Sequence, residues 1–159
     1  MNALWRISNH NDLEGLGGER SDGRWHTASR GKRVVYLAEH PALALIEVLA
    51  NLSANPKLFP ERYQLLKITA DGPVSTEVFA ADTLTPGWRR NFSETRPGGN
   101  AWLAGGSSAL LSVPSAPVPE SLNYLLNPLH PDARALKVEW RKWIAYDPRL
   151  FHTREIVEK

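Results

Sequence analysis

The chain contains no cysteine among its 159 residues, which excludes disulfide bonds and thiolate catalysis. Its net charge is only +2, too small to direct a whole surface toward nucleic acid. No apolar run is long enough to cross a bilayer, and residues 1–6 lack the apolar core of a signal peptide. We therefore expect a cytoplasmic protein with no direct contact to nucleic acid or membrane.

Motifs for metal, serine-hydrolase and nucleotide-fold chemistry are also missing. The five histidines include no pair at helical spacing and no His-Glu-x-x-His, so no metal site is expected. There is no Gly-x-Ser-x-Gly, and the Gly-Gly-Ser-Ser run at 105–108 lacks its spacing. No Walker loop and no strand-associated Gly-x-Gly-x-x-Gly occurs. Any active site must therefore be assembled from side chains scattered along the chain.

Short strands outnumber helices in the apolar pattern, and regular crossover helices do not separate them. We therefore predict one α+β domain over residues 1–159, with a largely antiparallel sheet and a few helices. The strands are predicted from apolar alternation and from β-branched and aromatic content. They lie at residues 3–8, 33–38, 62–69, 109–113, 122–126, 136–140 and 143–146, with a further extended candidate at 74–81.

One helix is clear from the sequence. It is predicted to begin at Pro41, because proline has no N–H and the N–H of the first helical residue would have no partner within the helix. It is expected to end near Asn55 and Pro56. Its predicted apolar stripe consists of Ala42, Leu45, Ile46, Leu49 and Leu52. Residues 86–100 are polar and predicted as turns, followed by one helical turn at 101–106.

Glu47 is the one carboxylate in this apolar helix, and a charge facing a core is costly unless it is compensated. The periodicity favours two explanations equally. In the structural one, Glu47 reaches solvent at the edge of the stripe or pairs with a buried arginine; in the functional one, it belongs to an active site. Arg24 lies in a Gly-flanked loop, where it suits either a plain surface position or bidentate phosphate binding. Tyr36 interrupts an apolar strand, and Ser115 lies between two prolines; core packing and a turn are the simpler explanations.

Seven pieces of the chain add a stronger signal through their order. They are Gly-Arg-Trp-His at 23–26, Val-Val-Tyr-Leu-Ala at 34–38, Ala-Leu-Ala-Leu-Ile-Glu at 42–47, Trp-Leu at 102–103, Val-Pro-Ser-Ala at 113–116, Asn-Tyr-Leu-Leu-Asn-Pro-Leu-His-Pro at 123–131 and Asp-Pro-Arg-Leu at 147–150. In this order they resemble the RES domain family, over nearly the whole chain. Each piece is weak alone, whereas the ordered set is specific.

The resemblance implies a compact ADP-ribosyltransferase-like fold and a toxin of a bacterial toxin–antitoxin pair. Such a toxin would form a hetero-oligomer with an Xre-type antitoxin. It would degrade NAD+ by cleaving the nicotinamide–ribose bond, through hydrolysis or through phosphorolysis with inorganic phosphate as co-substrate, and would need no other cofactor. The alternative is ADP-ribosylation of a cellular protein. A non-catalytic module that binds nucleic acid through Arg89 and Arg90 is a rival of another class, disfavoured by the scattered basic residues.

The same resemblance assigns roles to individual residues. The family's arginine, strand tyrosine, glutamate and serine correspond to Arg24, Tyr36, Glu47 and Ser115, with Ser107 and Ser108 as alternatives for the serine. NAD+ is expected to contact Arg24, Trp25, Tyr36 and Asn127. In this scheme Arg24 binds the diphosphate or the nicotinamide-side ribose, and Tyr36 stacks on the cationic nicotinamide. Ser115 must then fold back onto Glu47 from far along the chain.

Overall fold

A computed structural model describes residues 1–52 and 59–151 of the chain. Among these residues, no helix is both long and apolar enough to pass through a bilayer. The strands are β1 Leu4–Ile7, β2 Val35–Ala38, β3 Arg62–Ala70, β4 Thr76–Val78, β5 Leu110–Pro114, β6 Leu122–Leu126 and β7 Leu136–Ala145. The helices are α1 Leu16–Arg20, α2 Pro41–Asn51 and α3 Phe92–Gly105, with 3-10 turns at Ala81–Thr83, Trp88–Arg90, Pro131–Ala135 and Pro148–Phe151.

All seven of these strands join one sheet, in the order β4-β5-β6-β2-β1-β3-β7. The short pair β4–β5 is parallel and the other neighbours are antiparallel. The predicted α+β class with a largely antiparallel sheet is therefore confirmed. The two strands predicted at the C-terminal end are one strand, β7. Arg141 and Lys142, which suggested a break, pair with β3 and lie exposed on this edge strand.

The sheet separates one apolar cluster on one face from two on the other. On one face, Val35 and Leu37 of β2 join a core completed by Leu4, Leu66, Ile68, Leu110, Leu126 and Leu136. The opposite face, which we call the helix face, carries Tyr36 and Ala38 because side chains alternate along a strand. There α2 packs on Ala38, and α3 joins a tryptophan-rich cluster with β5 and β6. The candidate active-site residues described below lie on the helix face.

Helix α2 packs through a different stripe from the predicted one. Leu43 and Ala44 are each only 5% exposed, whereas Ile46 is 40% exposed. Glu47 lies three and four positions after the two buried residues, so it shares their face and points toward the sheet. The predicted stripe is wrong because nearly every residue around Glu47 is apolar, which leaves the helical periodicity without contrast.

The ends of α2 follow ordinary capping chemistry. Pro41 begins the helix as predicted, and the Nδ1 atom of His40 accepts the N–H of Ala42 at 3.1 Å. This side chain therefore satisfies one of the donors that a first turn leaves free. The described helix ends at Asn51, and the predicted end near residues 55–56 lies outside the described part of the chain.

Helix α3 corrects the prediction of turns at 86–100. It has 14 residues, and the single helical turn expected at 101–106 covers only its end. Pro97, Gly98 and Gly99 lie inside it, although these residue types disfavour helices. Close packing explains the glycines. A Cβ on Gly99 would overlap the carbonyl oxygen of Trp25, and a Cβ on Gly98 would lie 2.5 Å from the Phe79 ring.

Candidate active site

Three distant parts of the chain meet at the carboxylate of Glu47. Its Oε1 atom accepts a hydrogen bond from Ser115 Oγ at 2.8 Å and another from Asn123 Nδ2 at 2.5 Å. Glu47 comes from α2, Ser115 follows β5 directly, and Asn123 lies in β6 opposite Ala38 of β2. The antiparallel pairing of β5 with β6 brings both donors beneath α2, so the fold itself assembles this carboxylate site.

The hydroxyl of Ser115 donates its single proton to Glu47. The Ser115 side chain is 1% exposed, and its Oγ also accepts the N–H of Val118 at 3.2 Å. The alternative serines lie before β5, at the opposite end of that strand. Ser108 bonds to Trp102 and Leu110, and Ser107 bonds to Glu77. The structure therefore brings Ser115 to the carboxylate and directs Ser107 and Ser108 elsewhere.

Both donors bind the same oxygen of Glu47, which leaves the carboxylate half occupied. Within the described residues, no donor binds its Oε2 atom. That oxygen is also not sealed in the interior, since no buried side-chain oxygen or nitrogen of the described chain is left without a partner. Among the described residues, Glu47 thus has one oxygen bound by protein donors and one that accepts from none of them.

Tyr36 is anchored through its hydroxyl. This oxygen accepts the backbone N–H of Trp25 at 3.1 Å and lies 2.8 Å from Nδ1 of His26. The other nitrogen of His26 lies 2.9 Å from the carbonyl of Gly18, which can only accept. His26 Nε2 therefore carries the proton, and Tyr36 donates to Nδ1. Burial raises the pKa of Tyr36 to about 12, so the hydroxyl stays protonated and bound to the loop.

Arg24 places a positive charge beside Glu47. Its Nη1 donates to the carbonyl of Arg89 at 2.9 Å, and its guanidinium carbon lies 4.7 Å from the centre of the Phe92 ring. Burial lowers the pKa of Arg24, the negative charge of Glu47 raises it, and nearby Arg96 lowers it. The pKa of Tyr36 is also affected by the charges of Arg96 and Arg24. Arg24 therefore interacts electrostatically with both the carboxylate of Glu47 and the hydroxyl of Tyr36.

Helix α3 holds the loop that carries Arg24. Thr95 Oγ1 donates to the carbonyl of Arg24 at 2.5 Å, and Arg96 Nε donates to the carbonyl of Gly23 at 2.9 Å. Gly23 itself leaves no room for a side chain, because a Cβ there would overlap the hydroxyl of Tyr36. The loop is therefore clamped between α3 and β2, which fixes the direction of the Arg24 side chain.

Two residues expected to contact NAD+ lie away from this cluster. The Trp25 side chain is 2% exposed and packs on Phe79, with 4.8 Å between ring centres, so it belongs to the core. Asn127 follows the far end of β6, about 13 Å along the strand from Asn123 at about 3.3 Å per residue. Its Oδ1 accepts the N–H of Leu129 at 3.1 Å and shapes a turn. The buried Trp25 side chain offers little surface to a ligand, and contact of NAD+ with Asn127 stays a prediction.

The sequence analysis missed two members of the cluster, Asn123 and His26. Asn123 opens the piece quoted at 123–131 but received no role there; it is a polar residue in an apolar strand, two positions from the fully buried Leu125 and therefore on the same face. That parity was a usable signal. His26 was part of the quoted Gly-Arg-Trp-His piece, but nothing in the sequence indicated its bond to Tyr36.

Comparison with known proteins gives results that agree with one another. The model of the RES domain matches residues 3–147. A protein of Pseudomonas putida named Toxin Res is 45% identical over 148 residues, which covers 93% of this chain and 99% of that protein. The Prs ADP-ribosylating toxin of a Sphingobium species is 35% identical over 164 residues, covering 93% and 96%. The crystal structure of the M. tuberculosis MbcT–MbcA toxin–antitoxin complex contains a chain with the same fold, with a TM-score of 0.73, 17% identity and coverage of 91% and 84%.

Proposed function

The chain belongs to the RES domain family, and we propose that it is a toxin that cleaves the nicotinamide–ribose bond of NAD+. One observation carries the proposal: the half-occupied carboxylate of Glu47, held by Ser115 and Asn123 beside Arg24. The names of the relatives from Pseudomonas putida and Yersinia enterocolitica, both Toxin Res, support the toxin role. The enzyme activity rests on the geometry of the cluster.

The chemistry needs a negative charge beside the ribose. When the bond breaks, its electron pair passes to the nicotinamide nitrogen and the ribose gains oxocarbenium character. Glu47 Oε2 would stabilise that positive charge and bind the ribose hydroxyls. Because its partner oxygen is already fixed by Ser115 and Asn123, the carboxylate would not need to reorganise during the reaction. Removing one such preorganised group typically costs about 2.7–4 kcal/mol of transition-state stabilisation.

The leaving group requires no acid. Nicotinamide departs as a neutral molecule because the bound ring is cationic, so no proton has to be delivered to it. This agrees with a Tyr36 hydroxyl that is protonated and committed to His26, leaving the tyrosine ring to stack on the nicotinamide. Arg24 would bind the diphosphate or the adjacent ribose. The acceptor would be water or inorganic phosphate, attacking the ribose carbon and losing its proton to solvent.

ADP-ribosylation of a cellular protein is the second candidate. It breaks the same bond and passes the ribose to a side chain instead of to water or phosphate. The specific observation in its favour is the Sphingobium relative, which is named an ADP-ribosylating toxin and is 35% identical to this chain. The cluster around Glu47 serves both reactions equally, so the acceptor decides between them.

The proposed partner is an Xre-type antitoxin that covers the cluster around Glu47. Support comes from the similar fold of a chain in the M. tuberculosis MbcT–MbcA toxin–antitoxin complex. A partner that buried Arg24 and Glu47 would exclude NAD+ and silence the enzyme. Co-expression with the neighbouring gene should therefore abolish NAD+ turnover and yield a hetero-oligomer.

The decisive experiment is nicotinamide release from NAD+ by the purified protein and by Glu47→Gln. This variant keeps the volume and removes the charge, so we expect a loss of about 10²–10³-fold in kcat. Glu139→Gln is the matched control, because it makes the same change on the exposed edge strand β7. Equal rates for the wild type and Glu47→Gln would refute the site.

The same assay identifies the acceptor. Turnover that requires added phosphate indicates phosphorolysis, and turnover without phosphate indicates hydrolysis. Labelled NAD+ incubated with cell lysate tests the second candidate. A labelled protein band with little free ADP-ribose would favour transfer to a protein over breakdown.

A further inference from the structure

Two guanidinium groups share a single aromatic ring next to the cluster. The Cζ atom of Arg24 lies 4.7 Å from the centre of the Phe92 ring, and that of Arg96 lies 4.2 Å from it. Phe92 is the first residue of α3 and is 45% exposed. Two like charges beside one ring repel each other, and the influence of Arg96 on the pKa of Arg24 reflects this proximity.

Within the described residues, no carboxylate bridges the two guanidiniums. The nearest acidic partner of Arg96 is Asp22, at 3.9 Å from Nη1, the outer limit of an ion pair. Glu47 acts on Arg24, but one of its oxygens is already bound by serine and asparagine. The two guanidiniums therefore share no bridging anion within the described residues, and a phosphoryl group would supply one.

Both guanidiniums are already held in place by the protein. Arg24 uses Nη1 on the carbonyl of Arg89, and Arg96 uses Nε on the carbonyl of Gly23. Their other N–H groups bind no carbonyl of the described chain, and both groups lie against the Phe92 ring. A planar guanidinium presents two parallel N–H donors that match a phosphoryl group, and preorganisation lowers the entropy lost on binding.

We propose that Arg24, Phe92 and Arg96 form a clamp for phosphoryl groups, with one guanidinium for each phosphate of the dinucleotide. Arg96 is thereby assigned to the substrate-binding site. The charge of Glu47, where the ribose would lie, acts on Arg24, and Arg96 shares the Phe92 ring with Arg24. The identity of the ligand as NAD+ rests on the proposed function, whereas binding of a diphosphate does not.

The test compares the wild type with Arg96→Gln, Arg96→Lys and the control Arg141→Gln, which removes one charge from exposed strand β7. Binding of inorganic pyrophosphate is measured by calorimetry at fixed ionic strength. We expect Arg96→Gln to weaken pyrophosphate binding about 10- to 100-fold, because that is the typical contribution of a hydrogen bond to a charged group. Arg96→Lys should fall in between, and Arg141→Gln should bind as the wild type does.

Kinetics with three substrates separates binding from a structural role. NAD+ carries two phosphates, nicotinamide mononucleotide one and nicotinamide riboside none. Arg96→Gln should raise KM for NAD+ about 10-fold or more. Because the variant also removes the bond to Gly23 that holds the loop, the riboside should be affected too, but several-fold less than NAD+. An equal loss for the riboside would overturn the proposal, because Arg96 would then act only by holding the loop through Gly23. Phe92→Leu keeps both charges and should weaken pyrophosphate binding several-fold, even if Arg96→Gln does not fold.

Inorganic phosphate is the competing ligand for the clamp. If Arg96→Gln raised KM only for phosphate in a phosphorolysis assay, the assignment to the diphosphate would be overturned. Failure of the folded wild-type protein to bind pyrophosphate would overturn the clamp itself. Binding of pyrophosphate without any nicotinamide release would instead refute the proposed function and leave the clamp standing.

Discussion

Replacing Tyr36 by phenylalanine removes a single oxygen that holds two buried groups. In the wild type this oxygen accepts the N–H of Trp25 and donates to Nδ1 of His26. Trp25 and His26 are each 2% exposed, so water cannot readily replace the lost partner. Tyr36→Phe therefore leaves one buried donor and one buried acceptor unpaired while keeping the aromatic ring.

The expected loss follows from the cost of unpaired buried groups, about 1–3 kcal/mol each. We expect the free energy of unfolding to fall by about 2–4 kcal/mol, somewhat less than two full penalties because the imidazole can adjust. In a chain of this size, that corresponds to a decrease in Tm of about 5–15 °C. Urea and thermal denaturation followed by circular dichroism would measure both quantities.

Turnover should respond differently from stability. Because the hydroxyl faces the loop and not the ligand, Tyr36→Phe should keep kcat for NAD+ within about threefold of the wild type, measured well below its Tm. Tyr36→Ala, which also removes the ring, should lose much more. Unchanged stability together with a loss of activity above about 100-fold would refute this reasoning, since the hydroxyl would then act on the substrate.

The pH dependence provides an independent measure of the same hydroxyl. The pKa of Tyr36 is raised to about 12 in the folded protein, against about 10 in an unfolded chain. Its contribution to stability is therefore complete below pH 10 and is lost as pH rises toward 12, by about 1.4 kcal/mol per pH unit. Tyr36→Phe lacks this dependence, so the stability difference between the two proteins should shrink across that range. A constant difference would contradict the raised pKa.

Two further predictions concern α3 and the carboxylate. Gly99→Ala should lower the free energy of unfolding by about 3 kcal/mol or more, because its methyl group would overlap the carbonyl of Trp25, whereas Gly105→Ala in the same helix meets nothing and should stabilise by up to about 1 kcal/mol. Denaturation curves that matched for these two variants would contradict the packing. Asn123→Ala removes one of the two donors on Glu47 and should lower kcat for NAD+ about 10-fold or more, while Asn123→Asp adds a repelling charge and should lower it further. An unchanged kcat in both folded variants would show that the asparagine does not orient the carboxylate.

The strands of this fold are predictable from local sequence. Residues 122–126 were predicted as a strand and form β6 over the same residues. Their alternation and their bounding polar and proline residues carry the information within a few positions. The α+β class follows from the same signals, since strands without crossover helices between them pair in antiparallel fashion.

Helix α3 is not predictable in this way, because its stability comes from contacts distant in sequence. Gly99 has poor helix propensity, yet its missing side chain permits the approach of the helix to Trp25, a residue far away in the sequence. Pro97 likewise opposes a helix locally. Any reading of propensity would favour turns here, and the tertiary packing of Trp102 and Leu103 in the buried cluster outweighs it.

Glu47 was identifiable even though the predicted stripe of α2 was wrong, because a lone carboxylate among apolar residues is costly on any buried face. Local sequence patterns could not show which groups compensate the charge of Glu47, because Asn123 reaches this carboxylate only through the register of β6 with β2. The way in which the charge of Glu47 is compensated bears on function. Among the described residues, donors reach only one oxygen of Glu47, and the charge of Arg24 acts on the same carboxylate. The proposed function explains this incomplete compensation by a ligand that binds the second oxygen.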